Sequence, residues 1–341
     1  MPRKSLLLII SLTLLGLLAA CGGKKAGLQS RAVLPDKTLY QNGMEFLQKS
    51  HFIKARLAFQ TLINTYEDSE YLEKAKYYIA YSFMREGGVD NLLQAEQAFK
   101  DFKLFFPTSP LADNAQAYIV MINMRMMKSP NRDQTSTRRA ELEIENFMRD
   151  FPTSPMMPEM KIRLQYVQDV LAMSLFDKAK FYYKKSLYKA SAARFRECVQ
   201  KYETFGRRDE ALFLLADSLD HLKNVDESAI YYAQIVRGYP FSEYFEDSKD
   251  RLRKLEKTIP EVDEKLAEAN RQYYYTSQSI WTNPFRAVFS LFGIGGEDKP
   301  WKDLEQERIR NERERLESSG AKQATQHQGM KSPAPITSSG D

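Results

Sequence analysis

"FFPTSPLAD" (residues 105–113) and "DFPTSPMMP" (150–158) share the five letters FPTSP, 45 residues apart, and a looser copy, "GYPFSEYFED", begins at residue 238. Self-similarity at such a spacing is the mark of a repeat architecture. Reading back from each copy, a small residue is followed four positions on by an aromatic or aliphatic residue and twelve positions on by Pro or Glu. The five sets are Ala55/Phe59/Glu67, Ala95/Phe99/Pro107, Ala140/Ile144/Pro152, Ser191/Phe195/Glu203 and Ser228/Tyr232/Pro240, spaced by 40, 45, 51 and 37 residues. An aromatic residue immediately precedes the last member of each set: Tyr66, Phe106, Phe151, Tyr202 and Tyr239.

This pattern resembles the tetratricopeptide repeat, a helix–turn–helix unit of about 34 residues. The first-helix positions are present too: Leu39, Gly43 and Phe46 before Ala55; Leu175, Ala179 and Tyr182 before Ser191; Leu212, Ala216 and Leu219 before Ser228. Small residues let two helices approach closely, and the aromatic four residues later fills the space between layers. Proline ends the second helix because it lacks an amide donor and crowds the preceding turn. A Ser, Thr or Asp then caps the next helix. FPTSP is thus read as helix stop, turn and helix start. Repeats two and three are longer and match only after insertions, with Gly87-Gly88 absorbing part of the excess in repeat two. Each pair buries only part of its apolar surface alone and stacks on its neighbours. The predicted fold is all-α, a solenoid of about five such repeats with a C-terminal helical extension.

The bulk numbers agree. The chain has 341 residues, 43% hydrophobic, with 19 Tyr and 20 Phe against only 15 Gly, which suits packed helices better than turn-rich sheets. Lys and Arg number 50 against 45 Asp and Glu, with no long basic block, so nucleic acid is not an expected partner. Two cysteines, Cys21 and Cys198, exclude a disulfide framework.

Residues 1–21 read "MPRKSLLLIISLTLLGLLAAC". Arg3 and Lys4 precede an apolar run from Leu6 to Leu18, shorter than the ~20 residues a spanning helix needs. That is a secretory signal over 1–20, and Leu18-Ala19-Ala20-Cys21 resembles a bacterial lipobox. The expected mature chain starts at lipidated Cys21 and hangs by a leash over 21–32, with two or more acyl chains giving stable anchoring. Gly22, in place of Asp, resembles an outer-membrane address.

The expected organisation follows. Repeats one to three occupy 33–156. A long helix, 157–186, opens the segment 157–257 with repeats four and five. A helical and aromatic extension covers 258–319, interrupted at Pro260 and resumed by "EVDEKLAEANRQYYY", and a disordered tail covers 320–341. Within the extension Trp281, Phe285, Phe289 and Phe292 share one helical face, expected to cover the last repeat or touch a membrane or partner. Residues 302–319 are expected to form a polar helix with almost no apolar face.

Reacting groups are sparse. His51, His221 and His327 are scattered, no metal-ligand spacing is present, and no phosphate loop, GxSxG or HExxH occurs. Cys198 shares a face with Phe195 and Tyr202, as a buried, inert thiol would. No enzyme and no cofactor are expected. What remains is binding: Tyr40, Met44 and Leu47 in repeat one, with Tyr77 and Tyr81 in repeat two, are placed on the groove side of their first helices, where a peptide would lie.

Lipobox, leash and five helical pairs together resemble the BamD (ComL) family of outer-membrane protein assembly lipoproteins. The resemblance covers roughly residues 30–257. It is most telling over 176–252, with its FYY, Lys-Lys pair, small-residue run before Arg-Phe, E-A-L opening and Y-P-x-S closing. It implies a scaffold at the periplasmic face of the outer membrane, bound to a central β-barrel subunit with periplasmic domains, to other assembly lipoproteins and to unfolded barrel proteins. It further implies substrate contact in repeats one to three, including Tyr40, Met44, Tyr77 and Tyr81. Docking on the barrel subunit would fall to repeats four and five, with Arg194, Arg207, Arg208 and Glu210 as candidates. A pilus-biogenesis lipoprotein or a Tol–Pal coordination scaffold shares anchor and repeats. The first keeps a regular repeat period and the second carries a heptad region, and neither feature is read here. A peptidoglycan enzyme would need a catalytic carboxylate that the sequence does not offer.

Overall fold

The computed structural model describes residues 34–282, with side chains through Tyr273. The signal segment, Cys21, the leash, residues 302–341 and the aromatic stripe at 281–292 lie outside the described side chains. Asp36 opens a compact unit. Its described residues form twelve helices and no strand: α1 Asp36–Gln48, α2 Phe52–Thr65, α3 Leu72–Glu86, α4 Val89–Phe105, α5 Ala112–Arg125, α6 Thr135–Asp150, α7 Met157–Lys184, α8 Tyr188–Lys201, α9 Arg208–His221, α10 Val225–Gly238, α11 Phe245–Lys254 and α12 Glu264–Thr282. From α1 to α11 each helix packs on the next in sequence. That is a solenoid of five pairs, α1/α2 to α9/α10.

The repeat positions are the core. Ala55, Ala95, Ala140, Ser191 and Ser228 are fully buried, and so are Phe59, Phe99, Ile144, Phe195 and Tyr232 four residues on. Gly43 shows why a small residue is needed on α1: a Cβ there would sit 2.4 Å from Cε1 of Phe59. The irregular spacings have distinct local causes. In repeat two, Gly87 and Gly88 turn the chain at φ +75° and +82°, and α4 runs 17 residues. In repeat three, the connection 126–134 is longer, folded over buried Gln134, which donates to the carbonyls of Ser129 and Arg132. In repeat four the first helix, α7, runs 28 residues, as its unbroken pattern predicted.

The turns inside repeats one, four and five share one device. Ser50, Ser186 and Lys223 take left-handed conformations at φ 58°, 59° and 62°. The next amide reaches back five residues, as in His51 N–H to Phe46 O at 2.8 Å and Leu187 N–H to Tyr182 O at 3.0 Å. This closes each first helix with a Schellman-type cap on a residue other than glycine.

The FPTSP element differs from the expectation that its Ser or Thr caps the next helix. The N-cap positions Tyr71, Leu111, Met156 and Tyr244 make no side-chain cap bond. Instead Ser69, Ser109, Ser154 and Ser242 each accept the amide N–H two residues on, at 3.0–3.3 Å. Each hydroxyl also donates backwards to a carboxylate in the first turn of its own repeat's first helix. The pairs are Ser69–Asp36 at 2.7 Å, Ser109–Glu73, Ser154–Asp113 at 3.0 Å and Ser242–Asp209. The end of a repeat is thereby clasped to its beginning. Repeat four departs: Phe205 replaces the serine and packs on Phe176, 5.9 Å between ring centroids. There Gln165 donates to the Thr204 carbonyl at 3.3 Å and to buried Asp169 at 3.2 Å.

Candidate functional site

The four aromatic and methionine positions expected on the groove side of repeats one and two are buried, each at most 1% exposed. Tyr40 stacks on Tyr71 at 4.8 Å and leans on Phe59. Tyr77 meets Phe99 and Phe102 edge-on at 5.6 and 5.5 Å, and Tyr81 meets Tyr118 at 5.6 Å. Met44, one turn after Tyr40, joins the same core. Their placement on an open face is therefore corrected. Residues four apart on a first helix follow the stripe that faces the second helix, and rings of this size contribute most when fully removed from water. These residues hold layers together.

The charged candidates of repeats four and five divide into two places. Arg207, the N-cap of α9, and Glu210 in its first turn are brought together, with Arg207 Nε donating to Glu210 Oε2 at 2.9 Å. Glu210 also accepts from Lys180 Nζ of α7 at 2.8 Å, and the Arg207 guanidinium lies 4.3 Å over the Phe176 ring. Asp177 stands near both cations, and burial raises its carboxyl above the usual range despite them. Arg208 turns away: it donates to the Val199 carbonyl at 3.3 Å and to the Tyr239 hydroxyl at 3.2 Å, tying α8 to the end of α10. Arg194 is separate, half exposed on α8 and paired, among the described residues, along its own helix with Glu197.

Sequence reasoning missed two features here. Lys180 completes the Arg207–Glu210 cluster from 30 residues away, and nothing local announces it. Asp217 is a hub that accepts from the Tyr183 hydroxyl and from Arg251 at 2.8 Å, with His221 beside it. His221 also stacks on Tyr188 at 4.0 Å. Phe213 and Tyr244, both partly buried, stack at 4.7 Å between α9 and α11. The cluster Lys180–Glu210–Arg207 lies near Tyr244 of this ring pair and joins charged and aromatic groups on a partly open surface of the last two repeats.

Cys198 is fully buried, its thiol donates to the Ala172 carbonyl at 3.5 Å, and burial pushes it up to about 12. That is a packing thiol with little thiolate character. Asp169 is 2% exposed, and burial pushes its carboxyl up to about 7. Among the described residues no three His, Cys, Asp or Glu are grouped to hold a metal. No described helix is long and apolar enough to cross a membrane.

Five helix pairs, four of them closed by a serine–carboxylate clasp, define a tetratricopeptide-like solenoid. The chain belongs to the YfiO family of outer membrane lipoproteins, whose pattern matches residues 33–229. It is 28% identical over 244 residues to the outer membrane protein assembly factor BamD of Rickettsia prowazekii, covering 71% of this chain and 92% of that one. It is 23% identical over 240 residues to the protein of that name from Pasteurella multocida, covering 66% and 89%. Against that of Haemophilus influenzae it is 25% identical over 226 residues, covering 63% and 84%. The resemblance read from residues 176–252 thus holds. Among solved structures, the TPR2AB domain of yeast Sti1 in complex with pHSP90 aligns at 12% identity, covering 71% of this chain and 98% of that one, with a TM-score of 0.35. A likeness at that score carries no weight, and the fold rests on the helices themselves.

Proposed function

We propose that this chain is a non-catalytic scaffold of the machinery that assembles β-barrel proteins in the outer membrane, held at its periplasmic face by acyl chains on Cys21. The observation that carries the reading is kinship with proteins named outer membrane protein assembly factor, through a family match that runs from the first repeat into the fifth. In this reading repeats one to three receive segments of unfolded barrel proteins. Since Tyr40, Met44, Tyr77 and Tyr81 are core, the contact is made by the surface they support. Repeats four and five dock on the periplasmic domains of the central barrel subunit. Arg207, Glu210 and Lys180 form a charged face there, Arg194 lies on the flank, and Arg208 stiffens the support. Other assembly lipoproteins complete the complex.

The test is isolation of the tagged, acylated chain from gently solubilised envelopes, with mass spectrometry of what accompanies it. The expected result is near-equal recovery of a large β-barrel protein with periplasmic repeat domains. Recovery of a pilus secretin or of Tol–Pal components instead would overturn the reading.

A further inference from the structure

The second helices differ along the chain in what they show to solvent. One register, two residues before the buried small residue, reads Ile53, Leu93, Arg138, Lys189 and Asp226 from repeat one to repeat five, and all five side chains are exposed. It is apolar in the two repeats nearest Cys21 and charged in the three beyond. The register four residues later does not discriminate, since Leu57, Leu142 and Ile230 are all exposed apolar residues. On α2 the two registers coincide as a stripe: Ile53 is 70% and Leu57 68% exposed, one turn apart, with exposed Lys54 between them. α2 is also the one described helix with no acidic residue. On α4, Val89 and Leu93 are likewise exposed apolar residues one turn apart, with exposed Asp90 beside Val89.

Fourteen residues separate Cys21 from Asp36. Even fully extended, that connection reaches only about 50 Å. Attachment at Cys21 would therefore confine repeat one to a thin layer above the bilayer. A helix with an apolar stripe, a cation beside it and no acid suits an interface of acyl chains and anionic headgroups. Intrinsic affinity for such a surface need not be high, because the anchor makes the contact intramolecular.

We propose that the solvent face of α2, flanked by Val89 and Leu93 of α4, lies on the anionic lipid surface of the bilayer that holds the Cys21 acyl chains. This inference rests on the lipidation of Cys21 in the proposed function. It assigns repeat one a second membrane contact and so orients the solenoid, leaving repeats three to five turned towards water.

The test uses the full-length acylated chain reconstituted in vesicles of phosphatidylethanolamine and phosphatidylglycerol. Single nitroxide labels are placed at Leu57→Cys and, for comparison, at Ile230→Cys; buried Cys198 does not compete for the reagent. Flotation first reports the anchor. Collisions with oxygen, which partitions into lipid, and with a water-soluble nickel chelate then report depth. The expected result is several-fold greater oxygen preference at position 57 than at position 230, reduced when phosphatidylglycerol is omitted. Vesicles that carry the protein while both labels read as aqueous would overturn the surface contact and leave the anchor standing. A label at 57 shielded from both reagents would overturn it in favour of a protein partner. A protein that does not float would remove the anchor and the contact together.

Discussion

At the scale of single residues, Asp169 is the most demanding side chain in the molecule. It is buried in α7, receives one amide hydrogen bond from Gln165, and has no cation among the groups that set its proton affinity. Burial raises its folded value to about 7, above an ordinary value of 3.8. The folded state therefore holds the proton more tightly than the unfolded chain. The associated stability is fully present below about pH 4 and is lost as the pH rises to about 7. At ~1.4 kcal/mol for each tenfold change in proton affinity, the ionised form costs on the order of 4 kcal/mol. Half-buried Glu141, also raised by burial, adds to the same trend. Asp169→Asn keeps an acceptor for Gln165 and cannot ionise. Urea denaturation should show the variant more stable than the parent at pH 8, with the two converging as the pH falls to about 4. A variant less stable at pH 8 would mean the carboxylate has a partner there.

At the scale of elements, the serine–carboxylate clasp explains why FPTSP recurs. A hydroxyl that accepts an amide and donates to a carboxylate satisfies three groups at one turn, and the carboxylate sits at a helix N-terminus, where negative charge is favoured. Ser154→Ala should destabilise by roughly 1.5–3 kcal/mol, the range for a hydrogen bond to a charged group. Because Ser154 and Asp113 act together, the double variant with Asp113→Ala should lose less than the sum of the single losses. Strict additivity in chemical denaturation would deny the clasp. The repeat that lacks it is also the one with the longest helix. Phe205 is almost fully buried there, so repeat four closes by apolar contact and by Gln165 on the Thr204 carbonyl.

At the scale of the whole molecule, a solenoid has two ends to cover. The far end is covered by α12, which packs on α10. The Asp263 amide donates to the Arg237 carbonyl and the Asn270 side chain to the Gly238 carbonyl, both at 2.9 Å. A Cβ on Gly238 would press on the side-chain ends of Asn270 and Leu266 at 2.9 and 3.0 Å, so those side chains would have to shift to admit it. Residues 263–271 cover the last described pair, and the aromatic stripe Trp281, Phe285, Phe289 and Phe292 lies outside the described side chains. A chain ending after Pro260 should melt roughly 5 °C lower than one ending after Tyr273, as a loss of about 2 kcal/mol does in a domain of this size. Equal melting of the two truncations would show that α12 covers nothing of consequence.

The sequence by itself determined the all-α class, the five repeats and the core positions. Those properties follow from periodicity, and periodicity is written along the chain: a small residue, a ring one turn later and a helix stop recur wherever two helices must pack and end. The long α7 and the Gly87-Gly88 turn were legible for the same reason. Which aromatic residues face solvent was not. Tyr40 and Tyr81 look alike in a helical pattern whether they line a groove or fill a core, and only the positions of Tyr71, Phe59 and Tyr118 decide. The clasps were half visible, since Ser69, Ser109, Ser154 and Ser242 recur at one register, but their acids lie 33 to 41 residues upstream. The Lys180–Glu210 pair and the Asp217 hub likewise join residues some 30 apart. Tertiary structure alone decided these, because a hydrogen bond depends on distance in space, and chain separation carries that information only within a single helix or turn.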